Sequence, residues 1–140
     1  MRVRIVAGIL AGTWLLAACA SQPKAVEVIV RAGEFKFEPA SIEVTAGTPV
    51  RLTLQNTGTV EHDFSVAEMP MVESAAASTP MAGHDMGGMQ AVPQLHVAAA
   101  IGQGATVEFT PTKAGSYDFF CTVPGHKEAG MAGVLVVNPR

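Results

Sequence analysis

The stretch GSYDFFCTVPGHKEAGMAGVLVV, Gly115 to Val137, reads as two strands joined by an irregular loop. In GSYDFFC, alternation sets Cys121 on the face of Tyr117 and Phe119, and the apolar run GVLVV supplies a second strand after the loop. Period-two alternation of this kind marks half-buried strands. The loop itself, CTVPGHKEAGM from Cys121 to Met131, holds a thiol, an imidazole and a thioether, the softer metal donors among protein side chains. A turn at Pro124-Gly125 reverses the chain so that His126 faces back toward Cys121.

Upstream the same pattern repeats. VEVIVR puts Val26, Val28 and Val30 on one face, VRLTLQ alternates Val50, Leu52 and Leu54 with polar residues, and TVEFT sets Val107 and Phe109 opposite Thr106, Glu108 and Thr110. Turn formers separate these runs: Glu38-Pro39, Ala46-Gly47, Asn56-Thr57-Gly58, Gly102-Gln103-Gly104 and Lys113-Ala114-Gly115. Short strands with Gly and Pro turns predict an all-β fold, an antiparallel sandwich or barrel with Greek-key connections. The segment from Ala67 to Pro93 breaks the alternation and is dense in Ala, Gly, Ser and Met, so it reads as a long insertion, residues 67–93, within one domain.

The loop needs a second imidazole, and TVEHDFSV offers one. Alternation places His62 with Phe64 and Val66 on the inward face, and Glu61, Asp63 and Ser65 on the other. Taken singly, His62 is more often a satisfied core histidine, Cys121 a small buried hydrophobe, Met131 core filling and His126 a surface residue. Together they are a Cys with two His and a Met, the donor set of electron-transfer copper.

With these residues in place, the run Gly102 to Val137 and the stretch AGEFKFEPASIEVTAGTPVRLTLQNTGTVEHDF resemble the cupredoxins, the small blue copper proteins. The spacing is similar to that of auracyanin-type members, and CTVPGH is also similar to azurins, whereas plastocyanins have a shorter gap between Cys and His. The resemblance implies a Greek-key β-sandwich that binds one type 1 copper ion and carries single electrons. It assigns His62, Cys121 and His126 as trigonal ligands and Met131 as the axial one. It also makes His126 the solvent-side ligand and electron port, with Val123 and Pro124 in its apolar rim and Lys127 and Glu128 biasing the choice of redox partner. One position departs: many relatives carry Asn directly after the first histidine, where it pins the ligand loops together, and this chain has Asp63, which accepts hydrogen bonds but lacks the amide donors.

The N-terminus reads as a processing signal. Arg2 and Arg4 precede the apolar run IVAGILAGTWLLAA, and Leu16-Ala17-Ala18-Cys19 resembles the lipobox of bacterial lipoproteins. This implies a signal peptide over 1–18, a lipidated tether over 19–24 and a domain over 25–140, held at a membrane outside the cytoplasm by lipid on Cys19. Losing Arg2 and Arg4 takes the basic residues from 9 to 7 against 12 acidic ones, a charge of −5 that argues against nucleic acid as a partner. Cys121 is then the lone thiol, a liability in an oxidising compartment unless buried or metal-bound. The expected partners are redox proteins met by a monomer.

A second function class rests on the insertion. Met69, Met71, Met81, His84, Met86 and Met89 are candidates for secondary copper binding, in service of copper delivery, storage or tolerance. The simpler role for Met69 and Met71, nearest the His62 strand, is packing over the copper site. No enzyme is expected, because two of the four histidines belong to the blue site and only His84 and His96 remain for a catalytic centre.

Overall fold

The computed structural model describes residues 24–73 and 93–140. Ten strands make up this part of the chain: β1 Val26–Gly33, β2 Lys36–Glu38, β3 Ser41–Thr45, β4 Val50–Asn56, β5 His62–Val66, β6 Met71–Glu73, β7 Leu95–Ala99, β8 Gly104–Pro111, β9 Gly115–Phe120 and β10 Ala132–Asn138. They form two five-stranded sheets, ordered β2-β1-β4-β8-β6 and β3-β10-β9-β5-β7. This is the all-β sandwich that the alternation predicts, and among the described residues no helix is long and apolar enough to cross a membrane.

Two strand pairs differ from the antiparallel expectation. β1 runs parallel to β4, and β10 parallel to β3. The chain leaves the first sheet after β2, visits the second as β3 and returns as β4, and such a crossover is what a parallel pair requires.

The core lies between the sheets. Val30, Leu52, Leu54, Val107 and Phe109 from one sheet meet Phe64, Val66, Phe119, Leu135 and Val137 from the other, all of them buried. Phe64 stacks on Phe119 with ring centroids 4.5 Å apart, and Phe37 sits edge-on to both. Fully burying one such aromatic side chain stabilises the fold by roughly 1.5–3 kcal/mol. The β4 alternation holds throughout, while β1 emerges from the sandwich at its start, with Val30 buried, Val28 partly buried and Val26 exposed.

β5 departs from the sequence reading. His62, Phe64 and Val66 are buried as expected, but so are Asp63 and Ser65 on the other face. β5 lies between β9 and β7, and hydrogen bonds from neighbouring segments cover the polar side chains that alternation alone would leave in water.

The segment expected as an insertion opens with a short strand. Met71 to Glu73 form β6, which pairs with β8 through Met71 opposite Pro111. Gln94 ties the two flanks of the insertion together: its N–H donates to the Ala67 carbonyl at 3.2 Å and its Oε1 accepts the Met69 N–H at 2.7 Å.

Candidate metal centre

The start of β5, the end of β9 and the connection to β10 meet at one end of the sandwich. His62 is the first residue of β5, Cys121 follows β9 directly, and His126 lies in the loop that leads to β10. Their ligand atoms all lie within 4.8 Å of one another. Cys121 Sγ is 3.6 Å from His126 Nδ1, and the two imidazole centroids are 5.1 Å apart. His62, Cys121 and Met131 are fully buried, and His126 is 8% exposed.

The loop holds its shape through its own backbone. The His126 N–H donates to the Val123 carbonyl at 3.0 Å across Pro124-Gly125, with Gly125 at φ 83°. Pro then Gly at positive φ is the pattern of a type II turn. The Met131 N–H donates to the His126 carbonyl at 2.9 Å, and the Cys121 N–H to the Met131 carbonyl at 3.2 Å. Three of the four expected ligand residues are thus joined by direct main-chain bonds.

His62 is placed by residues distant in sequence. Asn56 Nδ2 donates to the carbonyls of Val60 at 2.7 Å and Ala99 at 2.8 Å, and its Oδ1 accepts the Gly58 N–H at 2.9 Å. That side chain therefore fixes the turn leading into β5. Gly58 packs directly on His62: a Cβ there would stand 2.5 Å from Nε2. The turn is braced further by Glu34, whose Oε1 accepts the Thr59 N–H at 2.6 Å.

Neither ring nitrogen of His62 has a hydrogen-bond partner, although both are buried. A histidine that served only the core would be paired, because leaving a buried polar group unsatisfied costs about 1–3 kcal/mol. Unpaired imidazole nitrogens beside a thiol and a second imidazole fit a soft metal ion. Burial, and then the neighbouring His126, push His62 below the ordinary imidazole value, which favours the neutral, ligating form. Burial raises the Cys121 thiol to about 11, so metal binding at neutral pH displaces its proton.

Asp63 joins the two regions. Both its carboxylate oxygens accept the Thr122 N–H at 3.0 Å, Oδ2 accepts the Thr122 hydroxyl at 2.7 Å, and Oδ1 accepts the Ser65 hydroxyl at 2.8 Å. Its Oδ2 is also 3.6 Å from Cys121 Sγ. The missing amide donors are not needed, since every partner here donates. Asn56, Gly58, Ser65 and Thr122 carry no signal of these roles in the sequence beyond the turn composition at Asn56-Thr57-Gly58.

Phe35, also outside the sequence reading, packs edge-on to His126 with centroids 5.2 Å apart. It holds a positive φ of 56° at the β1–β2 turn and is 49% exposed. Lys127 lies over the Phe120 ring, with Nζ 4.0 Å from its centroid.

Of the candidates for secondary copper binding, the described residues include Met69 and Met71, and these two lie away from the centre. Met69 is buried in the core, and with Met71 it borders Lys113 and Tyr117, around the start of β9, whereas Cys121 follows the end of that strand. Met81, His84, Met86, Met89 and Cys19 lie outside the described residues.

Residues 24–138 match the model of the copper binding proteins of the plastocyanin/azurin family. The chain is 35% identical over 116 residues to the copper-resistant cuproprotein CopI of Rubrivivax gelatinosus, a match that covers 79% of this chain and 64% of that protein. It is 32% identical over 148 residues to the copper-resistant cuproprotein CopI of Pseudomonas aeruginosa, covering 88% and 81% of the two chains. Among solved structures, auracyanin B superposes with a TM-score of 0.61 at 29% identity, over 84% of this chain and 91% of that one.

Proposed function

Because the chain belongs to the plastocyanin/azurin family of copper-binding proteins, we propose that it carries single electrons between redox partners. In this reading His62, Cys121 and His126 would hold one type 1 copper ion, with Met131 as the further, weaker donor. The observation that carries it is His62, a buried imidazole with both nitrogens unpaired, facing a thiol and a second imidazole.

Bound copper supplies a one-electron change between Cu(I) and Cu(II). The residues of the chain keep the donor atoms still while that happens. The loop bonds fix Cys121, His126 and Met131, Asn56 and Gly58 fix His62, and Asp63 locks one set to the other through Thr122. Burial keeps water from the thiolate, and the slightly exposed edge of His126, beside Phe35, is the port through which a redox protein reaches the site. The role is that of a carrier rather than an enzyme.

Voltammetry of the copper-loaded chain tests the reading. A reversible one-electron couple without loss of copper is expected, and Met131→Gln lowers its midpoint. An unchanged midpoint in that variant removes Met131 as a copper donor, and copper loss on reduction contradicts the carrier role.

A second reading is copper tolerance, supported by the names of the two CopI relatives. Its extra donors are Met81, His84, Met86 and Met89, so it requires more than one bound copper per chain, and deleting residues 74–92 removes the excess. That deletion spares Met69 and Met71, which belong to the folded frame. Either role fits an extracytoplasmic protein tethered through Cys19, as the Leu16-Ala17-Ala18-Cys19 motif supports; mass spectrometry of the mature N-terminus checks it, with an unmodified Cys19 as the contrary result.

A further inference from the structure

A hydrogen-bonded chain runs from the thiol of Cys121 to the surface on the side of β7. Asp63 Oδ2 is 3.6 Å from Sγ, Asp63 Oδ1 accepts the Ser65 hydroxyl at 2.8 Å, and Ser65 Oγ is 2.8 Å from His96 Nδ1. The Ser65 hydroxyl has one proton, and the carboxylate takes it. Ser65 Oγ therefore accepts from His96 Nδ1–H, which leaves Nε2 as the atom that gains or loses a proton. His96 is one-third exposed, whereas Asp63 and Ser65 are buried, so the imidazole is the link of this chain open to water.

Among the described residues, the charges around His96 are these. From β5 it faces Asp63, with Nδ1 3.9 Å from Oδ1, and Ser65. Beyond Ser65, β9 presents Phe120 in register, covered by the Lys127 ammonium. Glu68, Asp118 and Lys127 line the groove on that side of the sheet. β4 and β8 pack on the opposite, inner side of β7, where they carry the buried Leu52, Leu54 and Val107.

We propose that His96 is a proton-binding positioning residue that couples the copper potential to pH through Ser65 and Asp63. This rests on the copper reading above. Protonated His96 pairs with Asp63 and offsets the negative charge that the carboxylate places beside the thiolate, which favours the reduced site; neutral His96 leaves that charge uncompensated, which favours the oxidised site. In the pH window where the imidazole titrates, reduction takes one electron from the redox partner and one proton from water at Nε2. The reduced form then carries one more hydrogen than the oxidised form.

The test is the midpoint potential of the copper-loaded chain as a function of pH, with His96→Gln beside it. The glutamine amide keeps a donor for Ser65 but cannot titrate. In the wild type the midpoint falls as pH rises and levels off on either side of the fall, and in His96→Gln the fall is lost. An independent readout is the pair of ring nitrogen NMR shifts of His96 in the metal-free protein, which Ser65→Ala moves because Nδ1–H loses its acceptor. A flat wild-type profile, a fall that persists in His96→Gln, or His96 ring shifts unmoved by Ser65→Ala overturns the proposal. Absence of any reversible couple in the wild type defeats the copper-carrier reading on which it rests, a result distinct from a reversible couple with no pH dependence.

Discussion

The C-terminal ligand loop and the His62 end of β5 reach the same point by different means. The loop closes on itself through main-chain bonds among Cys121, Val123, His126 and Met131, all within eleven consecutive residues. His62 depends on side chains from elsewhere: Asn56 holds the preceding turn to Ala99, Gly58 leaves room for the ring, and Asp63 reaches across to Thr122. One half of the site is a local motif and the other a product of tertiary packing. Damage to the two halves therefore has separable consequences.

Cutting the link between them has the largest expected effect. Asp63→Ala leaves the Thr122 N–H, the Thr122 hydroxyl and the Ser65 hydroxyl without their acceptor, a loss on the order of 3 kcal/mol for hydrogen bonds to a charged group. Denaturant unfolding of the metal-free protein reads it, and copper affinity falls in parallel. Stability close to that of the wild type would mean that the halves are not joined through Asp63.

Asn56→Ala attacks only the distant half. It strips two donors from the carbonyls of Val60 and Ala99 and one acceptor from Gly58, at a cost of about 1–3 kcal/mol. NMR of the metal-free variant is expected to show shifts at Gly58 and His62 and few at Val123 to Met131. Equal disturbance of the loop contradicts the division.

The smallest effect sharpens the other half. In the metal-free protein the Cys121 thiol stands at about 11 against an ordinary 9.0, because burial disfavours the thiolate. The unfolded chain loses this proton first as pH rises, so the folded state binds more protons between the two values and stability falls as pH rises from 9.0 to about 11. The added stability is complete below pH 9.0. Thermal melts across this window, with Cys121→Ser as the reference, should show the extra fall in the wild type alone; matched slopes would remove Cys121 as its source.

What the sequence reveals follows the same division. The loop is legible because Cys121, His126 and Met131 are spaced along one stretch, with Pro124-Gly125 announcing the turn between them. The β4 alternation is legible because one face meets the core and the other meets solvent. β5 is not, since alternation assumes water on one side and Asp63 and Ser65 instead lie beneath Thr122 and His96. Asn56 reads as a turn residue, and nothing local says that its amide bridges to Ala99 forty-three positions on. The parallel pairing of β1 with β4 is equally hidden, because strand direction depends on the crossover through β3 and leaves no mark on the alternation. The short strand β6 escapes for a further reason: three residues are too few for a period to show.

The most direct test of the site is the visible absorption spectrum of residues 20–140 loaded with Cu(II), recorded beside Cys121→Ser. An intense blue band in the wild type that vanishes in the variant is the expected result, since it reports the copper–thiolate bond at Cys121. A nearly colourless copper-bound wild type would contradict the account, showing that copper is held by the chain without the thiol on which the whole arrangement converges.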